Sequence, residues 1–263
     1  GDLFPSQFYG AAFVCEPTAN FVRCNFISED NGVLTATNAF PGGEFLASTD
    51  ERFRPVNLLN GPDGALYIVD MYRGVIQHRI YLTTFLRNQA LDRGLETPLN
   101  FGRIYRVVPA GAKRPKPESL ANLGSAELVG KLSSPNGWTR DTAQRLLVEK
   151  EDRQSIPALA EVAAAGEFPS AIHALWVLNS FGETQGAERA LSSPDSKVRA
   201  TAIRVLEPMV RLQGRNPVKT KILNLATDPA FETRLQLMFS LGEASDSRTE
   251  SAMIALLEKD IDH

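Results

Sequence analysis

The chain has 263 residues, a mass of 28.8 kDa and a formal net charge of −3, so its length favours one or two domains. It contains no run of about 18 apolar residues, so the sequence pattern predicts no membrane-spanning helix within it. The nearly balanced charge gives no indication of a polyanionic partner, and we expect no binding to nucleic acid.

The two halves of the chain differ in composition. Residues 1–116 hold 12 basic and 11 acidic residues, and residues 117–263 hold 16 and 20. All five tyrosines lie in the first half and both tryptophans in the second. We therefore predict two domains of different architecture, 1–109 and 118–263, joined by the proline-containing, basic linker 110–117.

The first half has the pattern of β-strands. The runs "AAFVCEP" (11–17) and "NFVRCNFI" (20–27) are separated by a short turn, which predicts a hairpin. Turn residues such as those of "GPDG" (61–64) separate the later strands. The further predicted strands are 32–40, 44–49, 54–60, 65–72 and 102–109, with a helix from Val75 to Asp92 that ends at Gly94.

Strands of this length, joined by tight turns in units of roughly 40–50 residues, are typical of β-propeller blades. The chain supplies about two blades, and two blades alone would leave apolar strand edges unpaired. The predicted fold class is therefore α+β and multidomain, with a partial β-propeller before a helical second domain. We expect upstream blades or another chain to complete the sheet.

The second half contains an internal repeat. "LSSPNGWTRDTAQRLL" (132–147), "LSSPDSKVRATAIRVL" (191–206) and "ATDPAFETRLQLMFSL" (226–241) share proline at the fourth position, arginine at the ninth and leucine at the sixteenth. A degenerate copy lies at 168–178. This spacing predicts stacked helix pairs, and the repeats resemble HEAT-type repeats, which form solenoids that bind protein partners.

The repeat makes three local predictions. The prolines are expected in the first turn of the second helix of each pair. Ala143, Leu147 and their counterparts form an i, i+4 stripe that packs on the neighbouring repeat. The arginines at position nine are expected to reach a neighbouring acidic or carbonyl group, or to remain solvated. His173, inside the degenerate copy, is expected to be structural.

Cys15 and Cys24 are the only cysteines, and they fall on neighbouring predicted strands. They could form a disulfide if the two Cβ atoms come close enough. Either residue could instead be a small buried apolar side chain.

The run at 42–82, which contains "RPVNLLNGPDGALYIVDMYR", and the strand "GRIYRVVP" (102–109) resemble the end of the propeller in a family of membrane-bound dehydrogenases of planctomycetes and verrucomicrobia. That family is similar to the glucose/sorbosone dehydrogenases, which are propeller quinoproteins. The resemblance implies a sugar or alcohol dehydrogenase in the periplasm or elsewhere outside the cytoplasm, and it allows an association with the membrane. It implies pyrroloquinoline quinone (PQQ) and calcium as cofactors.

The resemblance also implies a c-type cytochrome domain as a partner of the propeller. This chain contains no Cys-x-x-Cys-His motif, so any haem c belongs to a domain outside it. No spacing typical of metal ligands occurs in the chain.

The candidate site residues lie where the predicted strands begin and end. Arg54, Asp70, Tyr72 and Arg73 are the candidate cofactor-binding residues, since arginine can bind a polycarboxylate through two parallel hydrogen bonds. His78 is the candidate catalytic base, because the ordinary pKa of histidine is near neutral pH.

Each candidate also has a structural interpretation. Arg54 could pair with Asp50 or Asp70 within the fold. Asp70 could accept hydrogen bonds at the end of its strand, and Tyr72 could serve packing. His78, as a lone histidine, could simply be exposed. Two functions therefore remain open: part of a quinoprotein-like dehydrogenase, or a non-catalytic scaffold that binds protein partners through its helical repeats.

Overall fold

The structure is a computed structural model that describes residues 1–30, 32–113, 115–165, 167–212, 216–244 and 246–260. The chain divides into two compact units. The first comprises residues 1–29 and 34–117, and the second comprises residues 30–33 and 118–263. The described residues combine β-sheets with a helical C-terminal region, which agrees with the mixed α and β content expected from the sequence.

The strands form two small antiparallel sheets. In the first sheet, β1 (Ala12–Glu16), β2 (Phe21–Asp30) and β3 (Val33–Asn38) follow one another, and the two-residue strand β4 (Leu46–Ala47) pairs with β2. In the second sheet, β5 (Pro55–Asn60), β6 (Leu66–Asp70) and β7 (Arg103–Val107) lie in chain order.

Alternation of side chains along the strands builds the core of the first unit. On β6, Leu66 and Ile68 are buried, as expected when every second residue of a strand points to the core. They pack with Val22 of β2, so the two sheets share one apolar cluster. Phenylalanines 4, 13 and 45 pack against this cluster.

The prediction of a helix from Val75 to Asp92 is wrong in its first half. The helix α1 spans only Thr84–Asp92, after a short 3₁₀-helix at Arg79–Tyr81. Thr83 sets the start, because its extended backbone places its hydroxyl to accept a hydrogen bond from the Leu86 N–H. Residues 73–74, just before the predicted start of the helix, are held by contacts with Arg54 that are described below.

The two cysteines are free thiols, so the disulfide alternative does not hold. In the β1–β2 register Cys15 lies opposite Val22, and Cys24 lies opposite Phe13. The cysteines are therefore not cross-strand partners. Cys24 is buried and acts as a small apolar core residue.

The second unit consists of helices. Their bounds are α2 Ser125–Lys131, α3 Gly137–Lys150, α4 Ile156–Ala165, α5 Ser170–Ser180, α6 Gln185–Ala190, α7 Ser196–Val205, α8 Glu207–Val210, α9 Pro217–Leu223, α10 Phe231–Leu241 and α11 Ser247–Asp260. Within the described ranges, none of the helices combines the length and apolar character that crossing a bilayer requires. Helix α5 packs against α3 and α7, and α7 packs against α10.

The apolar stripe of the repeat is buried as predicted. Ala143 and Leu147 on α3 are at most 1 % exposed. The residues at the same repeat positions in the later copies are also buried: Ala174, Leu178, Ala202, Leu206, Leu237 and Leu241. These side chains belong to one continuous apolar cluster, so each helix pair depends on its neighbours for its core.

The repeat prolines do not occupy the first helical turn, which corrects that prediction. Asn136 and Asp195 are the N-caps of α3 and α7, and their side chains accept hydrogen bonds from backbone N–H groups of the first turn. Pro135 and Pro194 therefore lie one residue before the cap. Their carbonyl groups are left to accept hydrogen bonds from elsewhere.

The donors to these carbonyls are the repeat arginines. Arg140, Arg199 and Arg234 each donate from Nη1 to the carbonyls five and six residues earlier. Arg199 also forms a two-point ion pair with Asp228, at 2.7 Å for both hydrogen bonds. Arg234 pairs in the same way with Asp260, at 2.7 and 2.5 Å. The prediction that these arginines reach acidic or carbonyl groups is confirmed.

In the first copy a histidine takes the place of the aspartate. Arg140 Nε lies 3.4 Å from His173 Nε2, and His173 Nδ1 lies 2.6 Å from Gln144 Oε1. These contacts fit a neutral imidazole that donates from Nδ1 and accepts at Nε2. Burial lowers the pKa of His173, and the Arg140 charge lowers it further, while Asp141 opposes the change. His173 is structural, as predicted.

Candidate functional site

Arg54 is the hub of the predicted site. It lies just before β5, and its guanidinium donates to four main-chain carbonyls. Two of them, in Pro17 and Thr18, belong to the β1–β2 turn, at 2.6 and 3.1 Å. The other two, in Arg73 and Gly74, belong to the segment that leaves β6, at 3.0 and 2.8 Å.

These bonds give Arg54 a structural task. They tie the turn of one sheet to the exit of the other, and they hold residues 73–74 in place just before the predicted start of the helix at Val75. Burial lowers the pKa of the Arg54 guanidinium, and the nearby charge of Glu51 opposes the change. The side chain makes no ion pair with Asp50 or Asp70 among the described contacts, so both predicted pairings are replaced by carbonyls.

Asp70 contacts Arg54 through the backbone. Its Oδ1 accepts hydrogen bonds from the N–H of Arg54 and the N–H of Tyr72, both at 2.8 Å. The side chain is buried, and its Oδ2 has no hydrogen-bond partner among the described residues. Asp70 thus accepts hydrogen bonds at the end of its strand, as its structural interpretation predicted. Its Oδ2 remains without a hydrogen-bond partner among the described residues.

The backbone of Tyr72 lies in the left-handed region, with φ of 47°. Its side chain contacts the polar groups of Asp50 and Arg103. Its hydroxyl donates to Asp50 Oδ2 at 2.9 Å, and the Arg103 guanidinium stacks 3.5 Å from the ring centroid. The pKa of Asp50 is lowered, mainly because its carboxylate accepts a hydrogen bond from the Arg52 backbone N–H. The Tyr72 hydroxyl and the charges of Arg52 and Arg103 lower it further, whereas burial raises it. The sequence interpretation considered Asp50 only as a partner of Arg54 and missed Arg103.

Arg73 and His78 stand apart from this cluster. Arg73 contributes only its carbonyl to the Arg54 contacts, and its side chain is exposed. His78 is exposed as well, and its ring makes an edge contact with Tyr81 at 6.1 Å between centroids. No described hydrogen bond orients the imidazole of His78, and it is not brought to Arg54 or Asp70.

A cavity of about 400 Å³ lies beside Arg54, between the loop at 74–77 and α1. Its wall is mainly apolar, with Val75, Ile76, Leu82, Leu86, Ala90 and Leu95. Arg93 also lines it, but this side chain is engaged in an ion pair with Glu51 and a hydrogen bond to Gln89. The cavity therefore offers a small apolar space with few unengaged polar groups.

The candidate residues do not fit a quinone that carries several carboxylates. Such a cofactor needs arginine donors that are open to it, and the Arg54 guanidinium already binds four carbonyls. They do not fit calcium either, which takes about six to eight oxygen ligands. Asp70 offers a single spare oxygen, and the described residues hold no cluster of three or more histidine, cysteine, aspartate or glutamate side chains that could bind a metal.

Comparison with known proteins adds one match. A family model described as a domain of unknown function (DUF7133) matches residues 1–111, which are the sheet-forming part of the chain and less than half of its length. No curated protein matches the chain.

Proposed function

We propose that this chain is a non-catalytic scaffold that binds protein partners. In this proposal residues 118–263 form a HEAT-like solenoid, and residues 1–109 are the C-terminal blades of a β-propeller. The observation that carries it is the series of repeat arginines. Arg199–Asp228 ties α7 to the segment before α10, and Arg234–Asp260 ties α10 to α11. Together with the packing of α5 against α3 and α7, they support an extended surface of helices α3, α5, α7 and α10.

The state of the candidate site supports a scaffold over an enzyme. Arg54, Asp70 and Tyr72 each serve the local backbone or a neighbouring side chain, and His78 has no orienting partner among the described contacts. A general base needs a position within hydrogen-bond reach of the proton it removes, and it is commonly oriented by a second group. Arg54, Asp70 and Tyr72 therefore make stability contacts in the described chain, and His78 is not placed as a general base.

The two sheets support the propeller part of the proposal. They pack on one another through Val22 and Ile68, as neighbouring blades do. Beyond this contact the second sheet exposes Leu59 and Ile104, at 55 and 69 %. Exposed apolar strand residues of this kind suit a further blade or another chain as a partner.

The test of the scaffold proposal is site-specific crosslinking in the cells that make the protein. A photoreactive amino acid is placed in turn at Arg145, Glu161 and Phe239, which are exposed on three helices of the second unit. We expect at least one position to give a reproducible adduct with the same partner protein. Absence of any adduct from all three positions, with the full chain folded, would count against a scaffold.

A second candidate is the quinoprotein-like sugar or alcohol dehydrogenase implied by the resemblance of residues 42–109. The apolar cavity beside Arg54 favours it, because small-molecule sites are commonly concave and largely apolar. Under this candidate the chemistry belongs to blades or domains beyond the described residues, outside the cytoplasm. Turnover of a sugar or alcohol panel by the full-length protein with PQQ, calcium and a dye acceptor would favour the dehydrogenase over the scaffold.

A further inference from the structure

The packing of α3 on α5, here called the α3–α5 joint, differs from the later contacts between repeats in its hydrogen-bond acceptor. Arg199 and Arg234 each form an ion pair with a carboxylate. The guanidinium of Arg140 instead meets the imidazole of His173, with Nε and Nε2 3.4 Å apart. Among its described contacts Arg140 has no carboxylate partner. The α3–α5 joint therefore depends on a neutral ring that can take up a proton.

Protonation of His173 removes the contact that this ring makes with Arg140. In the neutral ring Nε2 accepts from the guanidinium, and Nδ1 donates to Gln144 Oε1, which lies 2.6 Å away. An imidazolium carries N–H donors on both nitrogens. Its Nε2 then presents a donor and a positive charge to the guanidinium, which is a donor with the same charge. The contact between α3 and α5 changes from attractive to repulsive.

The charged groups around His173 come from α3. Burial lowers the pKa of His173 most, the Asp141 carboxylate raises it and the Arg140 guanidinium lowers it. His173 is the only titratable residue of α5. The charged side chains of α4, α6 and α7, which also pack on α5, have other partners: Glu161 with Arg189, Glu188 with Lys221, Arg199 with Asp228, Arg204 with Glu207, and Lys197 with the Phe168 ring. The closed joint therefore favours the neutral ring.

The later contacts between repeats are built on carboxylates, which stay charged in mild acid. Burial raises the pKa of Asp228, but hydrogen bonds from Arg199 and from the Ala230 N–H outweigh this and keep the pKa below its ordinary value. The ordinary pKa is about 3.9 for aspartate and about 6.5 for histidine. Mild acid therefore acts on the α3–α5 joint and leaves the Arg199–Asp228 ion pair intact.

The helices that this joint holds can separate from the rest of the second unit. Helices α2 and α3 pack on each other, and they reach the other helices mainly through α4 and α5. Arg140 also donates to the Ser134 and Pro135 carbonyls, at 2.7 and 3.1 Å, and these bonds lie within the same helix pair. A helix pair of this kind can open while its neighbours stay folded. Opening exposes Ala143 and Leu147, which are buried in the closed joint.

We propose that the α3–α5 joint is an acid-sensitive switch, in which protonation of His173 separates α2 and α3 from α5 and exposes the apolar stripe of α3. In the open joint the pKa of His173 returns to about 6.5, whereas the closed joint holds it lower. As pH falls below about 6.5, the open state binds a proton that the closed state does not, so the open population rises. The proposal goes beyond the scaffold function, because it requires no partner.

Hydrogen–deuterium exchange of the full chain, read by mass spectrometry, measures the opening of each helix. It is recorded at pH 7.5, 6.5 and 5.5, on both sides of the ordinary pKa of histidine, and the pH dependence of the intrinsic exchange rate is divided out. We expect exchange in residues 125–150 to rise several-fold, and at most about tenfold, between pH 7.5 and 5.5. Exchange in α10 should change by less than about twofold over the same range.

Two substitutions assign the rise to one histidine. His173→Gln keeps a side chain that can accept from Arg140 and cannot take up a proton, so it should remove the rise in residues 125–150. His78→Gln, at an exposed histidine of the first unit, is the matched control and should keep the full rise. Circular dichroism of each variant confirms that the fold is kept. If His173→Gln does not fold, the comparison of residues 125–150 with α10 in the unchanged chain decides.

Three outcomes would overturn the proposal: exchange in residues 125–150 does not rise in acid, it rises equally in α10, or the rise persists in His173→Gln. An equal rise in α10 would mean that acid destabilises the second unit as a whole and that no separate joint opens. None of these outcomes bears on partner binding, which the crosslinking at Arg145, Glu161 and Phe239 tests separately.

Discussion

Asp228 links two arginines that belong to different repeats. Its carboxylate receives the two-point ion pair from Arg199, and its main-chain carbonyl accepts from Arg234 Nη1 at 2.8 Å. Arg234 in turn pairs with Asp260 on α11. One aspartate therefore connects three successive elements of the second unit, and this connection is mostly shielded from water.

Asp228→Asn should destabilise the second unit by about 3–5 kcal/mol, because it leaves the guanidinium of Arg199 buried without its countercharge. Urea unfolding followed by helical circular dichroism measures the change. Glu149→Gln is the control, since Glu149 pairs with Arg145 at the surface and should change stability by less than about 1 kcal/mol. Equal effects of the two substitutions would show that the buried pair has no special weight.

Arg54→Lys should loosen the first unit, because a lysine has three N–H donors on one nitrogen and cannot replace the four bonds that the guanidinium makes from three nitrogens. We expect a loss of about 2–3 kcal/mol and faster amide hydrogen exchange in residues 12–24 and 66–76. Arg73→Gln, a change of an exposed side chain whose carbonyl stays in place, should leave exchange unaltered. If amide hydrogen exchange in these residues is the same in Arg54→Lys as in the unchanged chain, Arg54 does not have the structural role assigned to it.

The second unit should become less stable as pH falls below about 6.5, the ordinary pKa of histidine. The pKa of His173 is lowered in the folded chain, so in this range the unfolded chain binds a proton that the folded chain does not. Stability is then fully present above that pKa and declines below it. Melting temperatures at pH 7.5 and 5.5 measure the difference, which His173→Gln should reduce. His78→Gln, at an exposed position, should keep the pH dependence of the unchanged chain.

A protein of residues 117–263 should be soluble, helical and cooperative in melting, since its apolar cluster is continuous within the unit. Residues 1–112 should aggregate or remain poorly structured by themselves, because their buried cluster is small and their sheets expose apolar residues. Circular dichroism and size-exclusion chromatography of both pieces decide the point. A monomeric 1–112 piece that melts sharply would show that the sheet unit is complete.

The periodic features of the fold could be predicted from the sequence, and the polar contacts only in part. Ala143 and Leu147 repeat at helical spacing, so their burial follows from the pattern. The partner of Arg54 could not be predicted, because main-chain carbonyls leave no signal in residue types. Only one partner of the Arg199–Asp228 pair could be predicted from the repeat. The arginine recurs in each well-preserved copy, whereas the third position of the repeat is aspartate at Asp228 and serine in the other two copies.

The N-cap positions show a signal that was available. Asn136 and Asp195 follow the repeat prolines directly, and both are residue types that favour caps, so the helix start could have been placed there. The start of α1 is comparable, since Thr83 is also a capping residue. Arg54 holds the backbone at residues 73–74, ahead of this helix, through a contact between residues about 20 positions apart, and no local pattern reports such a contact.

The central claim is that the polar side chains around Arg54 hold the backbone together and do not bind a cofactor. Its most direct test is calorimetric titration of the full chain with PQQ in the presence of calcium. The account predicts no saturable binding, in the unchanged chain or in Arg54→Lys. Stoichiometric binding to the unchanged chain that Arg54→Lys abolishes, with the fold preserved, would contradict it.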